Sequence, residues 1–113
     1  MIMYYMLRKS IDLIKFLVIH PENMLKNLNL TNGLIYSQAI LLALTKKGVS
    51  REEAYRLVQR NAMRVWDEKN DFKKVLMEDE QILQFLSNEE IKDICNLENR
   101  LKNTKYIFER LGI

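Results

Sequence analysis

The sequence is poor in residues that break or cross-link a chain: one Pro, one Cys and three Gly in 113 residues. So few turn formers exclude the many short strands of a sandwich or barrel. A lone Cys95 cannot close an intramolecular disulfide and suits a reducing, cytoplasmic compartment. With a single histidine, His20, there is no cluster of ligands at metal-binding spacing. No glycine-rich phosphate loop exists, since Gly33, Gly48 and Gly112 stand apart and outside any strand–turn–helix pattern. Charge of one sign is also lacking. Lys and Arg number 18 against 15 Asp and Glu, which falls short of a nucleic-acid binder's basic footprint. No uncharged run is apolar enough to span a bilayer: Asn27 to Thr45 is interrupted by polar residues and leaves only Gly33 to Leu44 mainly apolar. A secretory signal is not expected either, because Arg8 and Lys9 follow the apolar Met1 to Leu7 instead of preceding it.

What is present is helical periodicity, with 48% hydrophobic residues to build one modest core. The expectation is an all-α fold, a compact multi-helix domain preceded by one outlying helix. Met3 to Val18 reads as that helix, with Arg8, Asp12 and Lys15 in a narrow polar stripe and apolar residues over most of the remaining surface. His20-Pro21 ends it, and Pro21 suits the first turn of a short helix to about Leu28. Thr31 is placed to cap a helix from about Asn32 to Lys47, apolar nearly all round and therefore expected to be the central, most buried one. Gly48 stops it.

Ser50-Arg51-Glu52-Glu53 reads as a capping box opening a helix from Arg51 to about Lys69. Its apolar face is Ala54, Leu57, Val58, Ala62 and Val65, with Asn61 at the edge as a buried, hydrogen-bonded amide. Short segments follow over Asp71 to Glu78 and Asp79 to Leu86, and a second capping box, Ser87 to Glu90, opens Asn88 to Cys95. The last helix spans roughly Leu97 to Leu111, with Leu101, Ile107, Phe108 and Leu111 at apolar positions.

Candidate chemistry is sparse. His20 at a helix junction reads as structural or solvated, and Cys95 shares an apolar side with Ile91 and Ile94 and reads as core. The carboxylate pairs Glu52/Glu53 and Glu89/Glu90 occupy first turns, where the helix dipole accounts for them. Arg56, Arg60 and Arg64 lie one turn apart and could grip phosphate, but Glu52, Glu53, Asp67 and Glu68 stand at neutralising spacing. A salt-bridged or subunit-contact face is the reading, and a nucleic-acid interface is not expected. Trp66, Tyr36 and Tyr55 recur at helical spacing and read as core.

Longer stretches carry a family resemblance. Pro21-Glu22-Asn23-Met24, Gly33 to Gln38, Lys47 to Tyr55, Val58 to Met63 with Trp66, and Tyr106 to Gly112 occur in order and resemble the adenylosuccinate lyases. The resemblance spans nearly the whole chain. It implies the all-helical fumarase/aspartase superfamily, whose members form homotetramers around a bundle of long helices. Residues 1–19 would then be the tail of a central bundle helix, and residues 20–113 the C-terminal helical domain. The implied reaction eliminates fumarate from adenylosuccinate to give AMP, and from a succinyl-carboxamide ribotide of purine synthesis.

In that family the chemistry falls to a serine on a mobile loop of Met-Pro-x-Lys-x-Asn-Pro pattern and to histidines of the first two domains. The only proline here is Pro21, so the loop is absent, and His20 stands where relatives commonly have an aromatic residue. The resemblance therefore assigns no catalytic, substrate-binding or metal-binding residue and no cofactor. It implies a C-terminal part, a fragment of a lyase, that is inactive by itself and partnered by the remaining lyase domains or subunits. The alternative is a stand-alone helical module that self-associates through its first helix.

Overall fold

The computed structural model describes residues 1–112, and among them every regular element is helical. These are α1 (Ile2–Lys15), α2 (Pro21–Asn29), α3 (Ser37–Lys46), α4 (Arg51–Glu68), α5 (Phe72–Glu78), α6 (Glu80–Leu83), α7 (Asn88–Ile94) and α8 (Leu97–Leu111), with a 3-10 turn over Leu34–Tyr36. The all-α expectation holds.

One core organises the chain from α3 to α7. Ile40 and Leu44 of α3, Leu57 and Val65 of α4, Phe72, Val75 and Leu76 of α5, Ile82 of α6 and Ile91 of α7 are all sealed from solvent. α4 packs against α3 and α5, and α5 continues onto α6 and α7. The expectation that the 32–47 segment forms the most buried helix is not met: the short α5 buries Phe72, Val75 and Leu76 among its seven residues, a larger share than α3 or α4. α4 buries Ala54, Leu57, Val58, Asn61 and Val65, whereas α3 buries Ile40 and Leu44 and leaves Leu42 exposed. All-round apolarity in α3 thus does not mean all-round contact within this chain.

The same segment does not start where Thr31 would cap it. Asn32 and Gly33 take left-handed conformations, φ 50° and 88°, and the α-helix begins only at Ser37, with no side-chain cap. A tertiary contact overrides the local signal. The Phe72 N–H donates to the Asn32 carbonyl at 2.9 Å. A Cβ on Gly33 would stand 3.4 Å from the Phe72 Cβ, so the turn lies close over the start of α5, where its φ favours glycine.

Caps follow the sequence in part. Ser87 and Glu90 form the reciprocal capping box. Ser50 accepts from the Glu53 N–H, but the Glu53 carboxylate turns outward to Arg56, so the first box is half made. Asp71 and Asp79 cap α5 and α6. Helix α1 stops at Lys15, short of Val18, ahead of the β-branched Val18-Ile19 and the pre-proline His20.

The terminal helices differ from the core. Helices α1, α2 and α8 contain no buried residue. The radius of gyration is 19.5 Å, where a compact chain of this length has about 13 Å. The molecule is a small helical core with uncovered helices at both ends.

Candidate functional site

On the arginine face of α4, each of Arg56, Arg60 and Arg64 has an acidic group within 4.0 Å. Arg56 donates to the Glu53 carboxylate at 2.5 Å and 3.0 Å, an exposed pair that holds Glu53 below the ordinary carboxylate range. Arg64 reaches Glu68 at 3.9 Å and Glu78 at 4.0 Å. Arg60 points instead across to the start of α6, donating to Asp79 at 2.5 Å and to Gln81 at 2.7 Å. The salt-bridged reading of this stripe stands, although Arg60's partner lies 19 residues away and no helical spacing announces it.

Asp79 is the centre of a buried cluster. Its carboxylate accepts from Arg60 Nη2 and from Asn61 Nδ2 at 2.6 Å, while its other oxygen accepts from the Gln81 N–H at 3.0 Å. The Asn61 amide also donates to the Leu57 carbonyl at 2.9 Å, as a buried asparagine must, and its Oδ1 has no partner. Burial acts to raise the Asp79 pKa, but the bonds from Asn61, Arg60 and the Gln81 backbone outweigh it and hold it below the ordinary value. Both of its oxygens are engaged within the fold, and the cluster joins α4 to the α5–α6 corner.

The structure does not bring His20 and Cys95 together. His20 is exposed at the start of α2. Cys95 lines a polar cavity of about 330 Å³ with Asn32, Tyr36, Asp71 and Lys73, and no imidazole is among its walls. Burial pushes the Cys95 thiol up to about 11, chiefly by desolvation. It stays protonated and unreactive near neutral pH. Labelling with a maleimide or disulfide reagent at pH 8 should therefore be at least tenfold slower in the folded protein than in urea, and equal rates would contradict this placement.

Glu89 and Glu90 open α7, and Glu90 also takes Lys47 at 2.7 Å, tying the end of α3 to α7. Both that hydrogen bond and the Ser87 N–H lower the Glu90 pKa. No group of three or more His, Cys, Asp or Glu that could hold a metal occurs among the described residues. No helix among them is long and apolar enough to cross a membrane.

Trp66 departs from the core expectation. It is 69% exposed on the outer side of α4, beside an apolar recess of about 320 Å³ walled by Leu30, Leu34 and Val65. Tyr55 is exposed on the same helix. Helical spacing identifies a face and says nothing of what covers it. What this surface offers is uncovered apolar area.

Residues 33–111 match the family model described as adenylosuccinate lyase C-terminus. The adenylosuccinate lyase of Bacillus subtilis (strain 168) is 45% identical over 109 residues, which cover 96% of this chain and 25% of that protein. The Thermotoga maritima adenylosuccinate lyase is 38% identical over 108 residues, 96% of this chain and 25% of the relative. That of Helicobacter pylori (strain 26695) is 43% identical over 117 residues, 95% and 27% respectively. The chain spans about a quarter of the length of these relatives. The matched region contains the whole buried core and its caps, and on that match the chain belongs to the adenylosuccinate lyase C-terminus family.

Proposed function

We propose that this chain serves as the C-terminal structural domain of a cytoplasmic adenylosuccinate lyase. The lyase would eliminate fumarate from adenylosuccinate in purine synthesis, with this domain contributing no catalytic or substrate-binding residue. The carrying observation is the match over 96% of the chain to a quarter of a lyase. The absence of the serine loop motif and the commitment of Asp79, Arg56, Arg60 and Arg64 to internal bonds support it.

Residues 1–19 are read as the end of a bundle helix and residues 20–113 as the domain proper. Exposed apolar residues around α1, among them Tyr4, Ile11 and Ile14, are what bundle neighbours in a homotetramer would cover. The test is fumarate release from adenylosuccinate. The 113-residue protein alone should give none above background. Mixed with a Bacillus subtilis lyase lacking its own matching segment, it should restore turnover. Robust activity of the isolated chain would overturn the proposal.

A further inference from the structure

Helix α8 is mounted with its polar side inward. Asn99 donates to the Asp93 carbonyl at 3.1 Å and to the Asp93 carboxylate at 2.5 Å. Asn99 and Asn103 share a cleft with Ala39, Leu42 and Ala43 of α3. At 100° per residue, Leu101, Thr104, Phe108 and Leu111 lie on the opposite side, and all four are exposed. Their spacing alternates three and four, the signature of a helix–helix seam.

Helix α1 carries the same pattern in mirror order. Met3, Met6, Ser10 and Leu13 are spaced three, four and three, and all are exposed. Run antiparallel, the two helices match at one constant register: Met3 with Leu111, Met6 with Phe108, Ser10 with Thr104, Leu13 with Leu101. The single hydroxyl of each seam falls in the same layer. The Ser10 hydroxyl already donates to the Met6 carbonyl at 2.9 Å, so its lone pairs are left to accept from Thr104. Neither polar group would be buried unsatisfied.

We propose that the α1 seam of one chain packs antiparallel on the α8 seam of a second copy of this chain. Flanking charges favour this pairing over α1 on α1. In the α1–α8 register Lys9 flanks Ile107 and Arg100 flanks Phe16, where cationic stems can lie along apolar or aromatic surface. An antiparallel α1 pair would set Lys9 against its own copy. The available area suffices. The chain exposes 9500 Å², about 3,000 Å² more than a self-contained protein of its mass, while a stable pair buries roughly 1,200–2,000 Å² in total. Two reciprocal α1–α8 contacts would form a closed, symmetric dimer. The proposal stands on these two helices and does not require the lyase reading.

Cross-linking tests it, because facing seam positions approach the Cα separation of roughly 4.4–6.8 Å that a disulfide needs. A Ser10→Cys chain mixed with a Thr104→Cys chain under mild oxidation should give at least ten times more linked dimer than either variant alone. Adding Leu13→Glu to the first chain should abolish it. Neither position belongs to the core, and unchanged circular dichroism checks the fold of each variant. Equal linking by Ser10→Cys alone, closure only within one chain when a single chain carries both Ser10→Cys and Thr104→Cys, or no linked dimer would each overturn the proposal. Fumarate release plays no part in this readout, so the two readings fail separately.

Discussion

Phe72→Ala should cost about 3–5 kcal/mol, the range for removing a fully buried aromatic ring, and should leave the protein partly unfolded in the absence of denaturant. Phe72 is completely buried at the first position of α5. Its ring belongs to the core shared by α3, α4, α5 and α7, and its Cβ sits against the Gly33 turn. The turn is held by a backbone bond to Asn32, so it cannot collapse freely into the space the ring would vacate. Small domains have only about 5–15 kcal/mol to lose. Urea titration followed by far-ultraviolet circular dichroism gives the value. Phe85, which is 38% exposed, supplies the control; Phe85→Ala should cost about 1–2 kcal/mol. Comparable losses for the two would mean that the turn over α5 is not the rigid wall described.

Asp79→Ala is the second large effect. Removing the carboxylate leaves the buried Asn61 amide with one acceptor in place of two and takes the cap from α6. An orphaned buried donor costs about 1–3 kcal/mol and a lost cap about 1 kcal/mol, so a total of roughly 2–4 kcal/mol is expected. Arg60→Ala should cost less, about 1–2 kcal/mol, because its guanidinium is 41% exposed and the buried Asp79 carboxylate keeps its bonds from Asn61 and the Gln81 N–H. Reversal of that order would sink the account of the cluster.

Acid dependence follows from the same geometry. The folded pKa of Asp79 lies below its ordinary 3.8. Its stabilisation is therefore fully present above that value and is lost as pH falls through the folded pKa. Urea midpoints should drop below about pH 4 in the parent, and the drop should be shallower in Asp79→Ala.

Much of this was legible before the structure. Helix existence and type came from periodicity, the Ser87–Glu90 box from local backbone chemistry, and the burial of Asn61 from its place between Leu57 and Val65. Local signals failed wherever a distant group intervened. Thr31 lost its cap role because Phe72 binds the Asn32 carbonyl. Arg60 found Asp79 where helical spacing offered only neighbours on α4. Trp66 and the apolar side of α8 have helical periodicity like any core face, and a period cannot say whether the face turns inward. Catalytic groups are residue types, and types can be counted in a sequence. Partners are surfaces, and surfaces appear only once the core has claimed its share.

The uncovered first helix also bears on how long such a chain survives in a cell. Because α1 buries no residue in the core, its order would, under the proposed pairing, depend on occupancy by a partner and hence on concentration. Below the dissociation constant, a segment rich in Met, Tyr and Leu is open to proteases and chaperones, while the Phe72-centred core is not. Turnover of this protein is then a matter of stoichiometry: copies made in excess of their partners would be cut first in the uncovered helices, outside the core.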